Sequence, residues 1–349
     1  MIAIFDGHND VLTKPDHGDF ANGRSGGHLD LPRMRAAGVR GGIFAIFTPS
    51  PKPTEDPRSG SDKDGPSGSP AELDHDVAAG HATAAAGRLF ALERAGVLRV
   101  ARSIADVDAA GEDSGPPVAV LHLEGAEAID PGLEALELWY AAGLRSIGPV
   151  WSRSNAFAHG VPFVFPSSPD TGPGLTDAGV GLVRRCAEMG ILIDLSHMNE
   201  AGFWDVARLD VGPLVASHSG VHAISAGPRN LTDRQLDEIG ATGGLVGIVF
   251  APGFLRPDFA NDLSTSLELI VEHARYVADR IGVEHVAIGS DFDGTAVPDA
   301  IGDVMGLPRL LEALSSAGFV EDEIVAIAWS NWRRVLAAWW GPRGGAVTT

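Results

Sequence analysis

The chain has 349 residues, of which 44% are hydrophobic and 21% charged, a composition typical of a globular protein with a substantial core. Its 46 acidic residues outnumber 26 basic ones, and the resulting net charge of −20 argues against nucleic acid and anionic membranes as partners. No basic region with a following apolar segment opens the sequence, and no apolar tail closes it. We therefore expect no signal peptide, membrane span or lipid anchor, and a cytoplasmic location. The single cysteine, Cys186, is expected to be a buried thiol.

Short and almost entirely apolar runs recur along the chain, as parallel strands buried on both faces do. We predict eight strands, at residues 2–5, 42–47, 118–124, 145–150, 191–196, 213–217, 244–250 and 285–290. Helical segments are predicted between them, at residues 71–96, 133–142, 178–189, 199–208, 233–240, 266–281 and about 307–340.

This alternation predicts a (β/α)₈ barrel formed as one domain by residues 1–349. A doubly wound open sheet is the alternative, but the glycine-rich phosphate loop of many such folds is absent from the sequence. Residues 49–70 are rich in proline, serine, glycine and charge, so we expect an irregular, flexible loop there. It is either a lid over the barrel mouth or a surface insertion.

The predicted strands are followed by polar residues of a restricted set of types. His8 and Asp10 come two residues apart after the first strand, so their side chains point to the same side. The other candidates stand at the ends of later strands: Glu124, His197, His218 and Asp291. In a (β/α)₈ barrel the carboxyl ends of the strands form the active-site mouth.

Three imidazoles and three carboxylates that converge at one mouth suit a borderline metal such as Zn²⁺. Six candidates are too many for one tetrahedral zinc, but they suit two ions that share a bridging carboxylate and a bridging water. The remaining acid would accept and return a proton. His122 precedes Glu124 by two residues and is expected to support the same site.

Longer motifs give the chain a resemblance to a known family. The segments are DGHNDVL at 6–12, HLEGAEAI at 122–129, GILIDLSHMNE at 190–200, VASHSGVHAISAGPRNLTD at 215–233, VAIGSDFDG at 286–294 and SNWRRVL at 330–336. In this order they resemble the membrane (renal) dipeptidase family of zinc metallopeptidases, which are amidohydrolase-like barrels.

The resemblance implies a role for each candidate. His8 and Asp10 would bind one zinc, His197 and His218 the other, and Glu124 would bridge the two. It further implies that Asp291 is the acid/base for the bridging water and that Arg229, in GPRN, holds the terminal carboxylate of a small dipeptide. Arginine suits two-point recognition of a carboxylate. The family also tolerates a D-residue on the C-terminal side of the scissile bond.

The sequence departs from the family pattern in the substrate region. Where well-known members have a histidine that contacts the substrate after the fourth strand, this chain has Trp151 at or next to the position. Asn155 and His159 follow in the same loop and are candidate substitutes. A tyrosine contact after the seventh strand is also missing, since IVFAPGF places Phe250 and Ala251 there.

Three functions therefore stay open: a binuclear zinc dipeptidase, a related amidohydrolase acting on a non-dipeptide amide, and a metal-binding protein without turnover. Trp151 favours the second, and an acid such as Asp291 argues against the third. Four tryptophans near the C-terminus, Trp329, Trp332, Trp339 and Trp340, indicate a last helix packed on the barrel, with a homodimer contact as the alternative.

Overall fold

The computed structural model describes residues 1–50, 70–112 and 115–341. Most of the predicted loop at 49–70 therefore lies outside the described residues, and its role as a lid stays a prediction. Within them the chain forms nine strands: β1 (Ile4–Asn9), β2 (Val39–Phe47), β3 (Arg99–Val100), β4 (Val118–Glu124), β5 (Leu144–Gly148), β6 (Leu192–Ile193), β7 (Val215–Ser219), β8 (Leu245–Ile248) and β9 (Val286–Ile288).

Eight of these strands close into a parallel barrel. One parallel sheet has the order β1-β2-β4-β5-β6, and a second has the order β7-β8-β9. A parallel bridge between Asp194 and Val215 joins β6 to β7, and another between Asn9 and Phe292 joins β9 back to β1. The prediction of a (β/α)₈ barrel is thus confirmed. The extra strand, β3, pairs only with the first residues of β4, and its two residues offered no apolar run to predict it.

Helices surround the barrel in the described part of the chain. They are α1 (Leu31–Ala37), α2 (His75–Arg94), α3 (Ile104–Glu112), α4 (Glu134–Ala142), α5 (Asp177–Met189), α6 (Glu200–Leu209), α7 (Asp233–Ala241), α8 (Pro252–Leu255), α9 (Leu267–Ile281), α10 (Leu307–Ser316), α11 (Glu321–Val325) and α12 (Asn331–Trp340). A π-helical turn at Ala326–Ser330 joins α11 to α12. Thr176 caps α5, because its side chain accepts a hydrogen bond from the backbone of Gly179.

The first strand continues further than the apolar run that predicted it. It extends through Asp6, His8 and Asn9, and the polar side chains of Asp6 and Asn9 find hydrogen-bond partners inside the barrel. The carboxylate of Asp6 accepts hydrogen bonds from Ser290, and the amide of Asn9 donates to the carbonyl of Ile43. The strand therefore carries His8 itself rather than ending before it.

The tryptophans at the C-terminal end pack against the barrel, as the sequence indicates. Trp332 and Trp339 are buried, and their indole nitrogens donate to the backbone carbonyls of Ile288 and Pro213 at 2.9 and 3.0 Å. Trp340 donates to the carbonyl of Arg145. The indole N–H groups of these three residues are thus hydrogen-bonded within the chain. The homodimer contact stays a prediction. Cys186 is buried, as predicted.

Gly7 is the point where the barrel wall leaves room for Trp332. A Cβ there would overlap the indole ring and would lie 2.7 Å from the carbonyl oxygens of Ser217 and Ile288.

We expect Gly7→Ala to lower the free energy of unfolding by about 1–3 kcal/mol, because a packed core cannot absorb the added methyl group. Urea unfolding measures it. The control is Gly18→Ala, where nothing lies within 4 Å of the new Cβ, and a change above about 0.5 kcal/mol is not expected. Equal effects of the two substitutions would contradict this account of Gly7.

Candidate active site

The barrel brings the predicted polar residues together at the carboxyl ends of its strands. His8 lies on β1 and Asp10 just beyond it, Glu124 is the last residue of β4, and His218 lies on β7. His197 and Asp291 follow β6 and β9 by a few residues. Both have a left-handed backbone, with φ of 67° and 61°. Non-glycine residues adopt that conformation at a cost of about 1–3 kcal/mol, and such strain concentrates at functional sites.

Glu124 is the centre of this cluster. Its Oε1 atom lies 3.0 Å from Nε2 of His197, 3.4 Å from Nε2 of His218 and 3.6 Å from Nε2 of His8. The two Nε2 atoms of His197 and His218 are 3.1 Å apart, and Asp10 Oδ2 is 3.7 Å from His8 Nε2. Three ring nitrogens and two carboxylates thus converge on a small buried volume.

Two groups of residues that could hold a metal ion share Glu124. One is His8, Asp10 and Glu124, and the other is Glu124, His197 and His218; the candidate ligand atoms of each group lie within 4.8 Å of one another. Both ring nitrogens of His8 and Oδ1 of Asp10 are buried without a hydrogen-bond partner among the described residues. Buried polar atoms are normally paired, so these atoms fit a site completed by a cation.

Serine hydroxyls orient two of the imidazoles. Ser152 Oγ lies 2.7 Å from Nδ1 of His197, and Ser217 Oγ lies 2.8 Å from Nδ1 of His218. A proton on each Nδ1 would leave Nε2 as a free acceptor that faces Glu124. Outer contacts of this kind fix the tautomer and the ring orientation of metal-binding histidines.

The electrostatics of the cluster also fit a metal site. Burial and the positive charge of Arg229 lower the pKa of His197 to about 4, and burial together with His8 holds that of His218 well below its usual range. Both rings are therefore neutral at pH 7, which is the form that binds metal. Burial raises the pKa of Glu124, but the positive charge of His8 and the close approach of the imidazoles outweigh burial and hold that pKa well below its usual range.

Asp291 stands on a tightly built turn beside the cluster. A Cβ on Gly294 would overlap the carboxylates of both Asp291 and Asp10, so this turn requires glycine. The next acid, Asp293, is buried and accepts hydrogen bonds from the guanidinium of Arg24 and from the backbone of His28. Burial raises the pKa of Asp291 well above its ordinary value, and the charges of Asp10 and Glu124 act in the same direction.

A cavity of about 190 Å³ opens over the cluster. Its walls hold three predicted acids and one predicted histidine (Asp10, Glu124, Asp291, His197) together with Thr13, Lys14, Phe47, Trp151, Phe163, Phe254, Gly294 and Thr295. Trp151 thus lines the cavity, with its ring centre 5.7 Å from that of His197. Lys14 and the phenylalanines were missed, because they lie in loops, at the end of β2 or in the short helix α8, whose positions no periodicity predicts.

Arg229 is buried close to the cluster but is absent from the cavity walls. Its Nη1 donates to Ser219 Oγ at 2.9 Å and its Nη2 to the carbonyl of His218 at 2.8 Å, while its Nε has no partner among the described residues. Burial lowers its pKa to about 10, although nearby acids such as Asp291 raise it, so it stays charged at neutral pH. Its guanidinium carbon lies 5.7 Å from the ring centre of Phe254.

Asn155 and His159 are not brought to the cavity walls. Asn155 donates to the carbonyl of Pro149 and accepts from the backbone of Phe157 and Ala158, so its amide holds its own loop together. His159 Nδ1 lies 2.9 Å from Ser154 Oγ. Neither residue is among the described walls of the cavity, and local hydrogen bonds hold the amide of Asn155 and Nδ1 of His159.

An acid that the sequence analysis missed organises the far side of the cluster. Asp194 accepts hydrogen bonds from the backbone of Ser196 and from both the backbone and the hydroxyl of Ser217. His122, which we expected to support the site, has Nε2 3.7 Å from Oδ2 of Asp194 and its ring edge against His8. The sequence did offer a signal for Asp194, which is the single acid inside the apolar run ILIDLS. A buried carboxylate needs hydrogen-bond partners, so a polar network was to be expected there.

Comparisons with known proteins show the family of the chain. The sequence profile of the membrane dipeptidase family (Peptidase family M19) matches residues 1–339. The chain belongs to this family. It is a hydrolase of the metallopeptidase class, related to dipeptidases along its whole barrel, and the resemblance stated from its motifs is confirmed.

Solved structures extend the match. A family M19 metallopeptidase described as dipeptidase AC is 45% identical with a TM-score of 0.90, over 98% of this chain and 99% of that one. A metallopeptidase from Rhodobacter sphaeroides, solved with a phosphinate mimic of the dipeptide L-Ala-D-Ala, is 44% identical with a TM-score of 0.91, over 97% of this chain and 99% of that one. A Klebsiella pneumoniae protein from the pqqA 5' region is 48% identical over 246 residues, which is 70% of this chain and 90% of that protein.

The family is named after membranes, but its name alone does not place a helix in one. In the part of the chain that the structure describes, no helix combines the length and the apolar character that crossing a bilayer requires.

The contact between Ser152 and His197 gives a test of the cluster as a metal site. We expect Ser152→Ala to weaken metal binding by about 10- to 100-fold, because the imidazole loses the partner that orients it. Competition with a chelator measures the affinity. Ser154→Ala is the matched control, since Ser154 Oγ contacts Nδ1 of His159 at 2.9 Å in the same way, and His159 is in none of the candidate metal groups of the described residues. If the two variants lose metal equally, the contact with His197 has no special role.

Proposed function

We propose that the protein hydrolyses the peptide bond of small dipeptides at a binuclear zinc centre. The observation that carries this proposal is the pair of ligand groups that share Glu124 at the mouth of a barrel of the dipeptidase family. His8 and Asp10 would hold one ion, His197 and His218 the other, and Glu124 would bridge them. Neutral imidazoles with carboxylates are the ligand set that zinc accepts.

Two zinc ions at this site would lower the pKa of a water molecule and polarise the scissile carbonyl. Asp291 is then the group that takes the proton from the attacking water and returns it to the leaving amine. Its carboxylate lines the cavity, and its oxygen lies within 4.8 Å of candidate ligand atoms on His8 and His218. The hydrogen bond between Asp293 and Arg24 holds the turn that carries Asp291. The carboxylate of Asp291 is thus kept close to the position where it would accept the proton.

Arg229 limits the substrate to short peptides in this proposal. It is a buried cation whose hydrogen bonds go to neutral oxygens of Ser219 and His218, and no ion pair with an acid is found for it among the described residues. A buried charge without an opposite charge is costly, and the terminal carboxylate of a substrate would pair with it at two points. A dipeptide brings that carboxylate next to the scissile bond, whereas a longer peptide does not.

The stereochemistry of the substrate is proposed from a relative. The Rhodobacter sphaeroides metallopeptidase was solved with a mimic of L-Ala-D-Ala, and this chain is 44% identical to it over nearly its whole length. We therefore include a D-residue on the C-terminal side among the substrates of this chain. The second candidate function, hydrolysis of a non-dipeptide amide, is favoured by Trp151, which lines the cavity where other members of the family place a histidine.

Metal content and turnover test the ligand assignment together. The purified protein should contain about two zinc ions per chain. His218→Ala should lose the ion that it shares with His197, together with most activity. Asp291→Asn, the comparison variant, should keep both ions while kcat falls by about 10²–10⁴, because it keeps the shape of the side chain but cannot accept a proton. Metal analysis and dipeptide hydrolysis measure these effects. One ion per chain that persists in His218→Ala would overturn the assignment.

The role of Arg229 is tested with paired substrates. Arg229→Met should reduce kcat/KM for a free-acid dipeptide by about 30-fold or more, since the loss of one partner from a desolvated charge pair costs about 2–5 kcal/mol. The same dipeptide with an amidated C-terminus should be a poor substrate for the wild type and should be hardly affected by the substitution. If the wild type cleaves both forms equally well, Arg229 does not bind the carboxylate, and the broader amidohydrolase function gains support.

A further inference from the structure

A second cavity adjoins the one over the metal cluster. Its volume is about 500 Å³, and its walls are Phe163, Ala251, Gly253, Phe254, Phe259, Asn261 and Thr295. Phe163, Phe254 and Thr295 also line the cavity over the cluster. The two spaces thus have a common boundary of three side chains, and we call the larger one the side cavity.

A series of aromatic rings runs from the site into the side cavity. The ring centres of Phe47 and Trp151 are 4.8 Å apart, those of Trp151 and Phe163 5.5 Å, and those of Phe163 and Phe254 6.4 Å. Phe254 continues to Phe259 at 5.8 Å. All five rings are half-buried. Large apolar groups that stay partly exposed in a concave surface are typical of ligand sites.

The volumes indicate that a substrate needs both spaces. The cavity over the cluster, at about 190 Å³, is smaller than the roughly 300–1,000 Å³ of ordinary ligand pockets. It has room for the scissile bond and small side chains next to Glu124 and Asp291. A large side chain has to leave it, and the boundary formed by Phe163, Phe254 and Thr295 leads to the side cavity.

We propose that the side cavity binds the side chain of the substrate's C-terminal residue and selects large apolar side chains there. This inference rests on the proposed dipeptidase function. Phe254 indicates which substrate residue faces the side cavity. Its ring lies 5.7 Å from the guanidinium of Arg229 and also lines the side cavity. A carboxylate at Arg229 thus places its own residue's side chain beside Phe254. No charged residue is found among the described walls of the side cavity, so a charged side chain would lose its hydration without gaining a partner.

Gly253 allows the side cavity to be filled. It lies in α8 on the cavity wall, and a Cβ there would come 3.3 Å from the carbonyl oxygen of Phe259 and 3.5 Å from Oδ1 of Asn261. The contact with Asn261 is ordinary, whereas the carbonyl of Phe259 has to shift by a few tenths of an ångström; Gly253→Leu then adds its further carbons at the cavity wall. Gly181→Leu is the matched control, because this glycine is also helical and nothing lies within 4 Å of its Cβ position.

The experiment compares kcat/KM for Ala–Ala, Ala–Phe and Phe–Ala dipeptides, each with the C-terminal stereochemistry that the wild type prefers. The wild type should favour Ala–Phe over Ala–Ala by about tenfold or more, the discrimination that an apolar pocket gives. Gly253→Leu should remove this preference and leave Ala–Ala and Phe–Ala within about threefold of wild type, while Gly181→Leu keeps the preference. Phe259→Ala, a second variant with one wall removed, should also reduce the preference.

The outcomes separate this inference from the function on which it rests. If the wild type hydrolyses Ala–Ala but treats Ala–Phe no better, or if Gly253→Leu impairs all three dipeptides equally, the side cavity is not the subsite and the dipeptidase function stands. If Gly253→Leu selectively impairs Phe–Ala, the cavity binds the N-terminal side chain and the inference is wrong. If the wild type with its full metal content hydrolyses none of the three, the proposed function itself fails.

Discussion

The convergence of three imidazoles on the carboxylate of Glu124 is the constraint around which the barrel is arranged. Burying this charge without a positive partner is costly, and the Nε2 atoms of His197, His218 and His8 face the carboxylate at 3.0–3.6 Å. Two of those rings have pKa values lowered by burial, so at neutral pH they supply lone pairs rather than positive charge. Neutral imidazoles form no ion pair with a buried carboxylate, but their lone pairs and the carboxylate oxygens together can bind a metal ion. Folding and metal binding should therefore be thermodynamically linked, since the ion binds the folded arrangement.

The cluster around Glu124 is accompanied by backbone strain at the strand ends. His197, Asp291 and Asp293 all have φ between 61° and 67°, where non-glycine residues are uncommon. Such conformations persist only where the surroundings over-determine them. Around His197 the surroundings are Ser152 and the network of Asp194 with Ser196 and Ser217. Around Asp293 they are Arg24 and His28, which tie the turn to the segment after β1. The hydrogen bonds outside the cluster thus hold its side chains in place.

The sequence predicts most of this framework and little of its surroundings, for physical reasons. Buried parallel strands are continuous apolar runs, so eight strands were recognisable, and the barrel rule then brought their terminal residues to one mouth. β3 has two residues and no such run, so it was missed. Ser152 and Asp194 were missed because a hydrogen bond between distant segments has no local pattern. Asn155 and His159 were proposed by proximity in the loop, yet their polar groups are taken by neighbours in that loop.

The polar cluster and the aromatic residues of the mouth stand on different parts of the fold. The polar cluster stands on or next to β1, β4, β6, β7 and β9, whose registers are fixed by barrel closure, so a change of residue there changes the geometry of all the others. Trp151, Phe163, Phe254 and Phe259 stand on loops or on the short helix α8, and their rings pack against one another. A loop residue such as Trp151 can therefore vary without disturbing the distances around Glu124. The loops shape the mouth, while the acids and the imidazoles of the cluster keep their places on the strands.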